Sequence, residues 1–136
     1  DHALEQYAAK VEFWQGDISN LVAKFNGYDL ILSIGGIEEA INPTRFLQDI
    51  HTRLNPGGLL IIADSYDYDP QVTLPQNRVG GFRKDGEPFG SFEGVKELLS
   101  PQFEMVDEPL ELTRCLRINQ RRYDLRLVQV SVWRLK

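Results

Sequence analysis

The sequence predicts an α/β domain built on one layered sheet, and three observations carry that prediction. Two short, nearly continuous apolar runs stand at residues 28–33 (YDLILS) and 59–63 (LLIIA), the composition of strands buried on both faces of a parallel sheet. Between them lies a segment punctuated as a helix, with Asn42 as N-cap, Pro43 at its first position and Asn55-Pro56-Gly57-Gly58 as its stop. Near the end, Val128, Val130 and Val132 alternate with Gln129, Ser131 and Trp133, the period of two of a final strand. Strands alternating with helices, followed by closing strands, describe a layered domain whose ligands gather beyond the carboxyl ends of the strands.

The elements follow in order. Leu4, Tyr7 and Ala8 sit at helical spacing, so a helix is predicted over residues 3–9. Residues 11–15 (VEFWQ) read as a short strand ended by Gly16-Asp17, and residues 19–24 as a turn or short helix. Asn26-Gly27 leads into the first apolar run and Gly35-Gly36 breaks it. Phe46, Leu47, Ile50 and Leu54 form the apolar stripe of the central helix. Residues 64–90 carry Pro70, Pro75, Pro88 and several glycines, and so predict a long loop of the kind that serves as a functional lid or stays irregular. Phe92, Val95, Leu98 and Leu99 mark an amphipathic helix over 91–99, and residues 103–106 and 110–113 are strand candidates.

Composition bounds the function. The 136 residues allow one domain with a real core, and 42% hydrophobic with 26% charged residues is ordinary for a globular protein. A formal net charge of −5 and an isoelectric point near 5.0 argue against a nucleic-acid or anionic-membrane surface. Cys115 is the single cysteine, so no internal disulfide forms and a cytoplasmic setting is the default. No apolar run approaches the length of a membrane span, and DHALEQYAAK does not read as a basic and apolar leader. The first residue is Asp1 rather than Met, from which a piece of a longer chain is expected.

The order of the motifs resembles the latter two-thirds of a class I S-adenosylmethionine-dependent methyltransferase. In VEFWQGD the acidic residue that approaches the cofactor's adenine is Asp17, with Ile18 beside it. YDLILSIGG supplies the strand exit that lines the pocket, Ser33, Ile34 and Gly35, and LNPGGLLI matches the family's LxPGGxL turn. A narrower resemblance rests on VGGFRKDGEPF at 79–89, LSPQFEMV at 99–106, LRINQRRYDL at 116–125 and VSVWRLK at 130–136. These are similar to the C-terminal mercaptohistidine N-methyltransferase domain of the ovothiol-pathway 5-histidylcysteine sulfoxide synthases. The resemblance implies a Rossmann-like sheet with an antiparallel last strand, S-adenosylmethionine as cofactor and a small-molecule acceptor, the imidazole nitrogen of a thiol-bearing histidine.

There are departures. The strand exit is Ile34-Gly35-Gly36 where the family tends to carry Asn and Asp, and Cys115 and Asn119 stand where other residues are expected. The family's first two strands, with the glycine-rich loop and the acidic residue that holds the ribose, have no counterpart in these residues. In the usual order they lie between the third and fourth strands, so their absence opens the sheet and leaves unpaired edges. An incomplete domain is therefore expected, inactive by itself, and completed by the N-terminal part of a longer chain or by a homodimer.

Methyl transfer asks a protein chiefly for positioning and for a nucleophile relieved of its proton. Asp64, Tyr66 and Tyr68 lie where the strand at 59–63 ends and could orient an imidazole acceptor; a solvated loop with half-buried tyrosines is the alternative. Asp17 has a plain alternative as a turn residue or helix N-cap. Among Arg114, Arg117, Arg121 and Arg122, the candidates to clamp a substrate carboxylate are Arg117 and Arg121, against a merely solvated face. Gly80-Gly81 with Arg83, Lys84, Asp85 and Gly86 reads equally as a lid or a hairpin tip. Cys115 has no His or second Cys nearby, so neither metal binding nor thiol catalysis is expected. Two rivals remain: a cofactor-free module of the same fold serving as a binding surface, and a methyltransferase for another small metabolite.

Overall fold

The computed structural model describes residues 2–136, with side chains from residue 4 onward. Helix α1 (His2–Ala8) opens the chain, and residues 11–15 that follow it form no strand. This corrects the expectation of a strand there. A strand needs a ladder partner, and no described strand lies beside these residues, so Val11, Phe13 and Trp14 stay exposed. A short 3-10 turn, Ile18–Asn20, leads to β1 (Tyr28–Ile34), the single-turn α2 (Gly36–Glu39) and α3 (Pro43–Asp49). Asn42 caps α3, its Oδ1 accepting from the Arg45 amide at 3.0 Å with Pro43 in the first turn. The helix tightens into a 3-10 turn at Ile50–Arg53 before β2 (Leu54–Asp64).

The predicted long loop is in part a hairpin, β3 (Phe82–Lys84) with β4 (Glu87–Phe89). Asp85 and Gly86 both take positive φ, 52° and 82°, the Asp-Gly turn whose twist suits a two-residue hairpin. Of the two readings left open for Gly80–Gly86, the hairpin tip is the one the backbone adopts. Helix α4 (Ser91–Leu99) and β5 (Phe103–Met105) follow as expected. Strand β6 (Leu110–Asn119) runs well past the predicted residues and forms a long hairpin with β7 (Arg122–Leu135).

Strand order in the main sheet is β1-β2-β7-β5, with β6 on the other half of β7. The pair β1–β2 is parallel and β7 is antiparallel to its neighbours, as the resemblance implies for a last strand. On one face, Leu60 and Ile62 of β2 and Trp133 of β7 pack with Phe46, Leu47 and Ile50 and with Val95, Leu99 and Phe103. The opposite face has no comparable cover among the described residues. Leu30, Leu32 and Ile34 of β1 are 50%, 57% and 75% exposed, and Leu59, Ile61 and Ala63 opposite them are only partly buried. The apolar run at 28–33 is thus buried on one face rather than both, because no described element packs on the other. Among the described residues β1 also has one ladder partner, leaving its outer edge unpaired.

Candidate functional site

The carboxyl ends of β1 and β2 meet at α2. The Gly35 amide donates to the Ala63 carbonyl at 2.8 Å and the Ile37 amide to Asp64 Oδ2 at 2.9 Å. Asp64 turns back to accept from its own chain as well, from the Tyr66 amide at 2.9 Å. Tyr66 holds a positive φ of 54°, uncommon for a residue with a side chain, which carries the chain sharply away from the strand. Asp64 is 1% exposed, and burial pushes its carboxyl up from 3.8 to about 6 against the backbone amides of Tyr66, Ile37 and Glu38, which favour its charge.

Tyr66 and Tyr68 are both pushed upward, first by burial and then by neighbouring groups that include the Asp64 charge. Both phenols are therefore protonated donors near neutral pH. The Tyr68 hydroxyl donates to the Val79 carbonyl and accepts from the Val79 amide, each at 3.2 Å, pinning the loop after β2 to the chain before β3. The Tyr66 hydroxyl donates to Gln129 Oε1 at 3.3 Å. Buried Thr73 adds a further tie, donating to the Ala40 carbonyl at 2.6 Å just beyond α2.

On the other side of α2 lies a cavity of about 530 Å³, within the usual range for small-ligand sites. It runs the length of β1, from Tyr28 to Ile34 and on to Gly36, with Trp14, Gly16 and Ile18 on its other side. Ser33 is 7% exposed, and its Oγ is buried without a hydrogen-bond partner. Unsatisfied buried hydroxyls are costly and uncommon, so this one calls for a ligand or a strained compromise. Gly36 fits the same wall tightly: a Cβ there would meet Ser33 Oγ at 2.5 Å and Ile18 Cδ1 at 3.5 Å.

Arg53 holds the far wall, donating to the carbonyls of Leu21, Val22 and Phe25 at 3.1, 2.9 and 3.2 Å while pairing with Asp49. Trp14 stacks edge-on to Phe25, with Lys24 Nζ 3.3 Å over its ring.

Of the residues predicted to meet the cofactor, Ile18, Ser33 and Ile34 line this cavity. Asp17 and Gly35 flank it. Asp17 caps the 3-10 turn, its Oδ1 accepting from the Ser19 amide at 2.8 Å, and Gly35 makes the left-handed turn into α2 at φ 69°. Arg117 and Arg121 lie away from both places. The Arg117 Nε bonds to the Asn119 carbonyl at 3.2 Å and the Arg121 amide to Asn119 Oδ1 at 2.9 Å, at the tip of the β6–β7 hairpin. Cys115 is a free, exposed thiol, and no metal-ligating cluster occurs among the described residues.

Sequence reasoning passed over Glu38, which is 8% exposed and accepts from Ser65 Oγ, from the Asp67 amide at 3.2 Å and from Arg126 at 3.5 Å. Only its place just after Gly35-Gly36 could have marked it.

Residues 1–62 match a methyltransferase domain family. The structure superposes on solved S-adenosylmethionine-dependent methyltransferases over most of its length. Its fold is that of the class I methyltransferases. One such enzyme, from Methanosarcina mazei, is 17% identical with a TM-score of 0.53, covering 88% of this chain and 65% of its own. TehB from Haemophilus influenzae is 18% identical with a TM-score of 0.59, covering 98% of this chain and 45% of its own. A protein of Thermotoga maritima described as a possible histamine N-methyltransferase is 18% identical with a TM-score of 0.53, covering 98% and 70%.

At these identities the likeness is one of fold. The domain spans less than two thirds of the first two of these proteins. No curated protein matches the sequence. No described helix is long and apolar enough to cross a membrane.

Proposed function

We propose that the domain belongs to an S-adenosylmethionine-dependent N-methyltransferase whose acceptor is a small molecule, in our best reading the imidazole nitrogen of a thiol-bearing histidine. The observation that carries the cofactor half is the orphaned Ser33 hydroxyl in the wall of a 530 Å³ cavity that runs along β1 to its exit. A nucleoside offers the hydroxyls and ring nitrogens that would satisfy it. Ile18 and Ile34 supply apolar surface for a base, and Asp17 stands beside it. When bound, the cofactor supplies an electrophilic methyl group.

The chain's own residues do the positioning. An imidazole, with a free pKa of about 6.5, is largely unprotonated at neutral pH and asks for little base strength. Asp64 fixes the joint between α2 and the turn after β2, and Tyr68 is held by Val79, so both act on geometry. Tyr66, whose bond to Gln129 is among the longer ones at 3.3 Å, is the donor an acceptor ring can recruit. The motifs at 79–89 and 116–125, and a fold shared with a possible histamine N-methyltransferase, support an imidazole-bearing acceptor. We further place the domain in the cytoplasm, with Arg117 and Arg121 at the outer rim of the acceptor path. Its open sheet face is covered by the N-terminal part of a longer chain or by a second copy.

One observation favours a second reading. The uncovered face with Leu30, Leu32 and Ile34 also suits a cofactor-free module that uses its sheet to bind another protein. Titration with S-adenosylhomocysteine decides between them. Saturable binding that weakens in Ser33→Ala supports the enzyme reading, and no binding at millimolar ligand supports the module.

A further inference from the structure

A second cavity, of about 200 Å³, opens on the far side of α2, between that helix and the β6–β7 hairpin. It is lined by Glu38, Glu39, Arg114, Leu116, Asp124 and Arg126. The two cavities share one turn of helix: Gly36 faces the larger one, and Glu38, two residues on, faces the smaller.

The hairpin register puts two guanidiniums side by side, since Arg114 pairs directly with Arg126. Like charges directly opposite on one face of a hairpin repel unless an anion separates them. Arg126 has its anions, Asp124 at 3.0 Å and Glu38 at 3.5 Å. Arg114 makes no ion pair among the described residues, although it lines the same cavity. Two-residue alternation sends Arg114 and Leu116 to this face, and Cys115 and Arg117 to the other. Of these two arginines, Arg114 is therefore the one on the cavity side.

We propose that this cavity is the acceptor subsite and takes a small zwitterionic amino acid or amine-bearing carboxylate. Arg114 receives the ligand's carboxylate in the bidentate geometry a guanidinium favours. Glu38 and Glu39 face its ammonium or ring cation from α2, and Leu116 covers the apolar middle. The three carboxylates of the wall outnumber its two guanidiniums, which suits a ligand carrying a cation beside its carboxylate. Glu38 is pre-positioned for this by Ser65 and Asp67. One turn of α2, from Gly36 to Glu38, stands between this ligand and the larger cavity. The proposal rests on the methyltransferase reading for what happens there, but the binding itself does not depend on it.

L-Histidine and histamine differ by the carboxylate, and titrating the full chain with each, by NMR or calorimetry, tests the site. Histidine should bind at least about tenfold tighter than histamine. Arg114→Gln should lower histidine to the histamine level and leave histamine unchanged. Equal binding of the two ligands, binding of neither, or a histidine preference that survives Arg114→Gln would overturn the proposal. S-Adenosylhomocysteine titrated in parallel separates the two claims. Its binding without a histidine preference removes this subsite alone, and a histidine preference without its binding supports the subsite and removes the cofactor reading.

Discussion

The amide of Ile37 donates to the carboxylate of Asp64 across 2.9 Å, joining the helix after one strand to the end of the next. With the Tyr66 amide on its other oxygen, Asp64 serves two backbone donors from a position 1% exposed. Asp64→Ala strips a partner from both amides, and urea unfolding should show a loss of about 1–3 kcal/mol. Asp64→Asn keeps one acceptor and should lose about half as much.

The same carboxylate makes stability depend on pH. Its folded value, about 6, lies above its ordinary 3.8, so between these values the folded chain binds more proton than the unfolded one. Stability from this group is therefore full below pH 4, falls as pH rises through 6, and is level above. The stability of the natural protein relative to Asp64→Asn, followed by thermal melts from pH 4 to 7.5, should shift by roughly 2–3 kcal/mol in favour of the variant across that window. A flat difference would show that Asp64 titrates at its ordinary value.

Ser33 offers a case in which stability and binding should part. Removing an unpartnered buried hydroxyl relieves a desolvation cost, so Ser33→Ala should leave the unfolding midpoint unchanged or higher. Affinity for S-adenosylhomocysteine should fall by about tenfold, the worth of one good hydrogen bond. Gly36→Ala, whose methyl would press on Ser33 Oγ, should weaken binding at least as much and also destabilise the fold.

Tyr68 and Tyr66 look alike in the sequence but differ in their bonds. Tyr68→Phe removes both a donor and an acceptor from Val79 and should cost about 1–2 kcal/mol, with faster proteolysis of the chain between residues 69 and 78. Tyr66→Phe loses one bond of 3.3 Å and should cost less than about 1 kcal/mol.

The open sheet face predicts adhesion. An anilinonaphthalene sulfonate dye should bind the chain in its folded state and fluoresce. Leu32→Lys, at a position 57% exposed, should quench much of that signal while the unfolding midpoint moves by less than about 0.5 kcal/mol. Signal loss on mixing with an added polypeptide segment would identify one that covers this face.

Much of the architecture could be read from local signals. Asn42-Pro43 placed the start of α3, the valine alternation placed β7, and the apolar runs placed β1 and β2, because each signal is set by backbone chemistry over a few residues. Residues 11–15 show the limit. Their β-prone composition is real, but pairing is a property of neighbours, and no described strand lies beside them. The site was half legible for the same reason. Ile18, Ser33 and Ile34 came from the resemblance and line one cavity, whereas Glu38 and Arg53 are held by contacts with segments distant in sequence. Arg114 stands in the same cluster as the candidate Arg117, and the hairpin register separates their faces.

The central claim is that a nucleoside cofactor lies in the cavity between residues 16–18 and the exit of β1. Backbone NMR of the chain titrated with S-adenosylhomocysteine tests this most directly. The account predicts saturable shifts at Gly16, Ile18, Ser33, Ile34 and Gly36, with the tip of the β6–β7 hairpin unmoved. An absence of shifts at millimolar ligand, or shifts confined to other surfaces, would contradict it.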